Sequence, residues 1–403
     1  MLFSKVVSIL ALQPDLRLLL GMGVAAVSQI IIGGFWGALL SPLIDGKYPK
    51  MLQILGRIDG SSKDSAIQVA KAASQAMGVP HAAEALLPKP TVSSKGYKSL
   101  IAAACAFQNS FTLPAVFLLS LLPGALADRA VAYLGLFLLA WSPVLWSFGL
   151  YSIQKGYEDD LKESSPSMGE DGESIEPTTS RTNGTFPWKR MVQGAMNPPV
   201  IAVLVAATLG LSPLGSMLFS PGSISSIASK LPFELSLIFH GLGSAYEVIE
   251  MLGKGTLAIQ TLVLAASLLQ PSNEIRNQER KGIFSNFIAY VSPSDDLEMR
   301  ALMVLFVVRF LLAPCSAIIV FKFLAQTQFF GSLLGDPIFL FVIAVQAVMP
   351  SAQNLIIALQ ISPKTQSASP GFAKLLLKLY FAAIIPVTLW VTGFASRLAI
   401  PLV

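Results

Sequence analysis

Val348-Met349-Pro350-Ser351-Ala352-Gln353-Asn354 places a proline and several uncharged polar side chains inside a segment that is otherwise apolar. The first half of the chain holds a stretch of the same kind, Ala106-Phe107-Gln108-Asn109-Ser110-Phe111-Thr112-Leu113-Pro114. Irregular polar backbone is tolerated at membrane depth only where it is buried in protein or lines a wet cavity. Matched interruptions in the two halves of a chain are the best sequence indication of a transporter's binding site. The two stretches therefore predict a membrane carrier.

The composition places the chain in a lipid bilayer. Of its 403 residues, 53% are hydrophobic and only 13% are charged, whereas soluble domains carry about 25% charged residues. The net charge of +5 comes without a basic stripe interleaved with aromatic residues, so no nucleic-acid partner is predicted. His81 and His240 lack companions at metal-ligand spacing, and Cys105 and Cys315 both lie in apolar segments. We therefore expect no metal and no cofactor.

A bilayer requires about 20 apolar residues per helical span, and the hydropathy pattern predicts eight spans. They are Leu18–Leu43, Leu100–Leu122, Val131–Ile153, Pro198–Leu214, Gly255–Leu269, Met299–Leu324, Pro337–Ile361 and Ala373–Ile400. Acidic residues and a histidine interrupt Pro232–Leu252, which favours an amphipathic segment at the membrane interface.

The connections between the spans alternate in charge, and this alternation predicts the topology. Lys and Arg are concentrated in residues 44–98, 155–190, 271–298 and 362–374, whereas the intervening connections carry almost none. Basic connections face the cytosol, so the C-terminal residues face the opposite side. The sequon that begins at Asn183 should then stay unmodified, because it lies on the cytosolic side.

The spans divide into two unequal halves. We expect an N-terminal repeat over residues 1–155, a disordered cytosolic loop over 156–190 and a C-terminal repeat of five helices over 191–403. An odd number of spans per repeat gives the two repeats opposite orientations. By this count the first repeat lacks two spans, and residues 1–12 resemble the stump of one of them, as expected for an incomplete gene model or a shortened isoform. The predicted fold is an all-α polytopic membrane protein, an inverted-repeat transporter with two broken crossing helices.

Several stretches together resemble a known family. The strongest are Val308–Pro314, which contains Arg309-Phe310-Leu311 and Pro314, and Gln346–Asn354, followed by Asn197–Ala202, which opens with two prolines. Weaker support comes from Leu379–Trp390 with Pro386, and from Cys105–Leu118. By these stretches the chain resembles the auxin efflux carriers: the PIN-FORMED proteins and, more closely, the PIN-LIKES.

The resemblance implies ten helices in two inverted repeats of five, with the fourth helix of each repeat broken and the breaks crossing near the bilayer midplane. It implies secondary or facilitated transport of a small organic anion such as indole-3-acetate, which is an auxin. The short central loop, in contrast to the long loop of plasma-membrane PIN proteins, implies the endoplasmic reticulum membrane, with the plasma membrane as the alternative. The implied partners are the anion and the lipid bilayer, with a homodimer as one arrangement.

A carboxylate that leaves water needs hydrogen-bond donors, and broken helices offer backbone N–H groups and positive dipole ends. The candidate substrate-binding residues are Gln108, Asn109, Ser110, Thr112, Pro114, Pro350, Ser351, Gln353, Asn354 and Arg309. The two prolines are expected to hold the breaks open. The alternative is that the polar groups only join helices together. Arg309 is expected to be the only charge well inside a span, either attracting the anion or clamping helix carbonyls.

The expected mechanism is uniport, because no Asp or Glu for proton coupling is predicted inside a span. Two alternatives stay open: a membrane scaffold or regulator that does not transport, and a Na⁺-coupled organic-anion symporter of the bile-acid type. An enzyme is not predicted, because the sequence offers no catalytic dyad or metal cluster.

Overall fold

The computed structural model describes residues 16–45, 94–164, 198–212, 296–363 and 365–401, together with residues 241 and 248. These ranges contain twelve bounded α-helices and no β-strand. In chain order they are α1 (Leu16–Leu40), α2 (Ser94–Ala106), α3 (Thr112–Leu121), α4 (Gly124–Val144), α5 (Leu150–Ser164), α6 (Pro198–Leu211), α7 (Asp296–Val307), α8 (Ala313–Leu324), α9 (Gln328–Leu334), α10 (Pro337–Ala347), α11 (Asn354–Ile361) and α12 (Ser369–Arg397).

Within the described ranges, four helical stretches are long and apolar enough to cross a membrane. They are Leu16–Ile44, Gly124–Asp160, Asp296–Leu324 and Gln366–Arg397, and a fifth results if α9 and α10, which meet at a bend of 93°, count as one span. The prediction of an all-α chain with membrane-crossing helices is thus supported by the described residues. Eight spans and an inverted repeat stay predictions. Residues 1–12, Asn183, Gly255–Leu269 and nearly all of Pro232–Leu252 lie outside the described part.

Two of the predicted spans are broken where the sequence indicated. Leu100–Leu122 consists of α2 and α3, and Pro337–Ile361 consists of α10 and α11. The predicted start of the central loop is wrong, because α5 continues from residue 156 to Ser164. Residues 165–190 lie outside the described part.

Short polar caps fix where α9 and α10 begin. The Thr327 hydroxyl accepts a hydrogen bond from the Phe330 N–H at 3.3 Å, and the Asp336 carboxylate accepts one from the Ile338 N–H at 3.0 Å. Each side chain satisfies a backbone donor that the first helical turn leaves without a partner. Pro337 follows Asp336 at the start of α10, where the missing N–H costs nothing.

Asp336 also links α10 to α4. Its Oδ2 atom accepts hydrogen bonds from Arg129 Nη2 at 2.6 Å and from the Tyr133 hydroxyl at 2.7 Å. The Arg129 Nε–H in turn donates to the Tyr133 oxygen at 2.8 Å. A single carboxylate therefore both caps one helix and binds it to another.

Two π-helical turns interrupt the long helical stretches. One, Leu145–Gly149, joins α4 to α5 and follows Pro143, and the other, Val308–Leu312, joins α7 to α8 and precedes Pro314. A proline inside a helix removes a backbone hydrogen bond, and a wider π turn accommodates that loss. The second turn carries Arg309, so this irregularity sets the direction of the one arginine in the middle of that span.

Close backbone approach packs α1 against the end of α2. A Cβ atom at Gly33 would collide with the Cys105 carbonyl oxygen, and one at Gly37 would lie 2.6 Å from the Cys105 Cβ. By contrast, a Cβ at Gly23 would meet only the Ala140 Cβ, at an ordinary 3.8 Å. Only glycine permits this approach, because small residues let membrane helices pack closely.

We expect Gly33→Ala to destabilise the protein by about 1–3 kcal/mol, because the added methyl group meets backbone that cannot move aside. The measurement is thermal unfolding of the detergent-purified chain. Gly23→Ala is the matched control on the same helix and should be neutral or up to about 1 kcal/mol stabilising, since alanine is the better helix former. Equal stability of the two variants would contradict the close packing of α1.

Candidate functional site

The two helix breaks cross and form hydrogen bonds with each other. Gln108 and Ser351 form an isolated antiparallel bridge. The Asn109 N–H donates to the Pro350 carbonyl at 2.7 Å, and the Ala352 N–H donates to the Phe107 carbonyl at 2.8 Å. Each break thereby supplies the backbone partners that the other has lost from its own helix. The predicted meeting of the two interruptions is thus present in the fold.

Side chains reinforce the bridge from both sides. The Ser351 hydroxyl donates to the Ala104 carbonyl at 2.7 Å, and Gln346 Nε2 donates to the Ser110 carbonyl at 2.7 Å. Gln108 Nε2 donates to Gln29 Oε1 at 2.8 Å. These bonds tie α1, α2 and α10 to the two breaks, so the crossing is a fixed feature of the packing.

Arg309 holds the C-terminal ends of the two incoming helices. Its Nε and Nη2 atoms donate to the Met349 carbonyl at 3.0 and 2.6 Å, and its Nη1 donates to the Cys105 carbonyl at 3.3 Å. Cys105 is in the last turn of α2, and Met349 lies two residues after the last residue of α10. A helix C-terminus carries about half a negative charge, so two such ends balance the guanidinium. Arg309 is 1% exposed, and no described carboxylate pairs with it.

The N-terminal ends of the two outgoing helices meet on another side of the crossing. Gln353 precedes α11 and donates through Nε2 to Oγ1 of Thr112, the first residue of α3, at 3.0 Å. Asn109 Oδ1 accepts from the Leu113 N–H at 3.3 Å, within the first turn of α3. Helix N-termini carry about half a positive charge each. The crossing therefore separates charge. The two helix C-termini, which are negative, face Arg309, whereas the two helix N-termini, which are positive, meet at a different point.

The candidate residues divide by exposure. Gln108, Asn109, Ser110, Pro350 and Ser351 are buried, whereas Thr112, Gln353 and Asn354 are partly exposed. The partly exposed residues are those at the N-terminal helix ends. A ligand that approaches from the partly exposed side would therefore meet the crossing at these ends.

Two buried amide oxygens at the crossing have no hydrogen-bond partner among the described residues. They are Gln108 Oε1 and Gln346 Oε1, and both side chains are fully buried. A buried acceptor without a donor costs about 1–3 kcal/mol.

Tyr380 and Gln29 belong to the crossing, although neither was among the candidates selected from the sequence. The Tyr380 hydroxyl on α12 accepts from Asn109 Nδ2 at 3.2 Å and donates to the Ser351 carbonyl at 2.9 Å. Gln29 on α1 donates to the Ile343 carbonyl at 2.9 Å. A glutamine within an apolar span was a signal for Gln29, whereas a tyrosine in a membrane helix carries none.

The two prolines do not act alike. Pro350 lies in the second break, and its carbonyl accepts a hydrogen bond from the Asn109 N–H. Pro114 lies in the first turn of α3, where its missing N–H would have had no intrahelical partner. A proline cannot bond to the carbonyl four residues before it, which here belongs to Ser110 within the break, so the expectation that Pro114 holds the first break open stays a prediction. That break lies before it, at residues 107–111, and Pro114 marks where the helix resumes.

The expectation that Arg309 is the only charged residue well inside a span is also wrong. Lys378 lies within α12, is 3% exposed and forms a salt bridge with Glu298 of α7, Nζ to Oε1, at 2.5 Å. Glu298 is itself buried, in the first turn of α7. The sequence placed Glu298 in a connection, because hydropathy alone does not reveal that a lysine on a distant helix faces it. Within the described ranges, no cluster of three metal-ligating side chains occurs.

Comparisons of the chain with protein-family models, with curated proteins and with solved structures gave no match. The chemistry of the crossing therefore rests on its own geometry.

We expect Arg309→Lys to destabilise the protein by about 1–3 kcal/mol, because lysine keeps the charge but cannot reach two carbonyls with a planar fork. The measurement is the thermal unfolding midpoint of the purified chain. Arg300→Lys, on the same helical stretch but without a hydrogen bond to the crossing, is the control and should leave the midpoint unchanged. A wild-type midpoint for Arg309→Lys would mean that the clamp contributes nothing.

For the buried salt bridge we expect Lys378→Met to cost about 3–5 kcal/mol, since it leaves the Glu298 carboxylate buried without its partner. The double variant Glu298→Met with Lys378→Met should recover most of that loss, because no unpaired charge remains. Thermal unfolding of the single and double variants measures both effects. A double variant as unstable as the single one would contradict direct pairing.

Proposed function

We propose that this chain is a secondary transporter or facilitator of a small organic anion of the auxin type, such as indole-3-acetate. The observation that carries the proposal is the meeting of two half-helix N-termini, at Thr112 and Gln353, beside a crossing of two broken helices. Alternating access would expose this point to one side of the membrane and then to the other. The resemblance to the PIN-LIKES and PIN-FORMED proteins supports the same conclusion.

The magnitudes favour an anion at these helix ends. An unpaired charge in a protein interior costs several kcal/mol. Each helix N-terminus contributes up to about 2 kcal/mol toward an anion in a partly buried position, and each hydrogen bond to a charged group contributes about 1.5–3 kcal/mol. Two helix ends and two or three donors are thus enough to offset the loss of water. A cation at the same point would meet two unfavourable dipoles.

The polar residues that suit a carboxylate are those near the partly exposed side. Asn354 begins α11, Gln353 precedes it, and Thr112 begins α3. Asn109 lies next to them and shares its amide with the Tyr380 hydroxyl. Hydroxyl and amide side chains of this kind can turn a donor toward a ligand. We assign ligand contact to Asn109, Thr112, Gln353, Asn354 and Tyr380.

The remaining candidates fit the alternative role of joining helices. Ser351 and Gln346 donate to backbone carbonyls of the opposite break, and Arg309 donates to carbonyls at both helix ends. Side chains with this pattern fix the geometry of the site without touching the ligand. The prediction that Arg309 binds substrate is therefore replaced, in this proposal, by the role of a clamp.

The buried ion pair between Lys378 and Glu298 is compatible with uniport. The buried carboxylate of Glu298 is already neutralised by Lys378, so neither side chain needs a coupled ion. An anion that crosses alone moves one negative charge, which is worth about 2.3 kcal/mol per 100 mV of membrane potential. The anion gradient and the potential together would then drive net flux. The endoplasmic reticulum membrane, implied by the resemblance, is the proposed location.

We expect Asn109→Ala and Asn354→Ala each to reduce uptake of radiolabelled indole-3-acetate by about tenfold, as the loss of one hydrogen bond to a charged group predicts. The measurement uses purified protein in proteoliposomes, with the amount of folded protein matched by size-exclusion chromatography. Thr388→Val on α12 is the control: its hydroxyl donates to the Ile384 carbonyl of its own helix and is exposed. It should transport like the wild type.

The same vesicles separate the alternatives. Under uniport, an inside-positive potential stimulates uptake and a Na⁺ gradient has no effect. Uptake that requires Na⁺ would favour a symporter of the bile-acid type, and a wild-type chain that folds without moving any weak organic acid would favour the scaffold. Wild-type uptake by both asparagine variants would remove the crossing as the site.

A further inference from the structure

A cavity of about 290 Å³ lies between α8, α10 and α12, apart from the polar face of the crossing. Its walls are apolar and include Phe321, Phe394, Leu340 and Ala344. Phe394 is held in place by stacking on Trp390, with ring centroids 5.3 Å apart, and the Trp390 N–H donates to the Phe310 carbonyl at 2.9 Å. The cavity therefore has an anchored aromatic wall rather than a mobile one.

Two cations lie at the rim of this cavity. Lys322 is in the last turn of α8 and Arg397 in the last turn of α12, and both residues line the cavity. Both are exposed, and neither makes a salt bridge or a hydrogen bond to any described residue. Charges at helix C-termini complement the helix dipole, but that role explains each cation separately. It does not explain why both lie at one apolar cavity whose described lining residues include no carboxylate.

The cavity extends inward from these cations. Pro314 lies at its inner end, eight residues before Lys322 on the same helix, which corresponds to about 12 Å at 1.5 Å per residue. Ala347, the last residue of α10, lines it too. The inner end therefore adjoins the segment that carries Arg309, while the mouth lies at the ends of α8 and α12.

We propose that this cavity is a second binding site, which takes an amphiphilic monoanion: a small carboxylate with an aromatic body. The rings would lie against Phe321 and Phe394, and the carboxylate would bind Lys322 and Arg397 at the rim. Ligand pockets combine mostly apolar walls with a few polar groups that fix orientation, and arginine pairs with carboxylates through two parallel hydrogen bonds. The aromatic walls match the aromatic body of such a ligand, and the two cations at the rim match its carboxylate.

A soluble carboxylate fits this cavity better than an anionic lipid. The alternating charge of the connections predicts that the ends of α8 and α12 face away from the cytosol, whereas anionic lipids are concentrated in the cytoplasmic leaflet. The volume lies near the lower end of the range for small-molecule pockets, about 300–1,000 Å³. It suits one or two rings and not a pair of acyl chains.

This inference concerns binding alone and does not depend on transport. The site is separate from the helix N-termini at Thr112 and Gln353, so variants of the two sites have separable effects. A wild-type chain with both sites should bind two equivalents of the carboxylate. If the transport proposal is wrong, the chain should bind one equivalent of the carboxylate, at the cavity.

The test is equilibrium binding of radiolabelled indole-3-acetate to the purified full chain in phosphatidylcholine nanodiscs. The double variant Lys322→Gln with Arg397→Gln should bind at this site about tenfold more weakly, as the loss of two ion pairs predicts. Ala344→Phe should also abolish this binding, because it fills the cavity and keeps both charges. Unlabelled indole-3-acetamide, which has the same shape without the charge, should not compete.

Three controls make the result decisive. Arg300→Gln removes a cation at the other end of the α7–α8 stretch and should bind normally. Asn109→Ala should still bind the carboxylate at the cavity. If Asn109→Ala loses all binding and both cavity variants bind normally, the inference is overturned. The transport proposal would remain intact in that case. Thermal stabilisation by phosphatidylglycerol that requires Lys322 and Arg397, without any stabilisation by the carboxylate, would identify a lipid site and also overturn it.

Discussion

The rest of this structure depends on one constraint: backbone N–H and C=O groups that leave a helix inside a membrane must find partners in the protein. The break at residues 107–111 and the break at 348–353 meet this requirement through each other. The Asn109 N–H binds the Pro350 carbonyl, and the Ala352 N–H binds the Phe107 carbonyl. Neither break would be tolerated alone, so the two halves of the chain are bound to a single geometry at this point.

The crossing also fixes where charge is tolerated. Two helix C-termini converge on Arg309, which allows a guanidinium to be buried without a carboxylate. The two N-termini converge away from it, at Thr112 and Gln353, and this leaves a positive region with partly exposed polar side chains. The salt bridge between Lys378 and Glu298 adds no net charge. The polarity of the helix ends thus favours an anion as the proposed ligand. Arg309 stabilises the packing of the helices that form the proposed site.

Local patterns predicted much of the fold and part of the site. Long apolar runs placed the membrane helices, and proline beside polar residues placed both breaks, because these signals depend on neighbours along the chain. Asn109, Gln353 and Arg309 were selected for the same reason. Gln29 and Tyr380 were missed, since a single polar or aromatic residue in a membrane helix has no local feature that reveals its partner.

The sequence by itself determined that this chain is helical, that it suits a membrane and that its helices break twice. Those properties follow from hydropathy and from the missing N–H of proline, which act within a few residues. Only the tertiary structure decided that the breaks bind each other, that Arg309 binds carbonyls, and that Lys378 on α12 meets Glu298 on α7. Each of these contacts joins residues distant along the chain, and their energy depends on distances and directions that no local pattern contains.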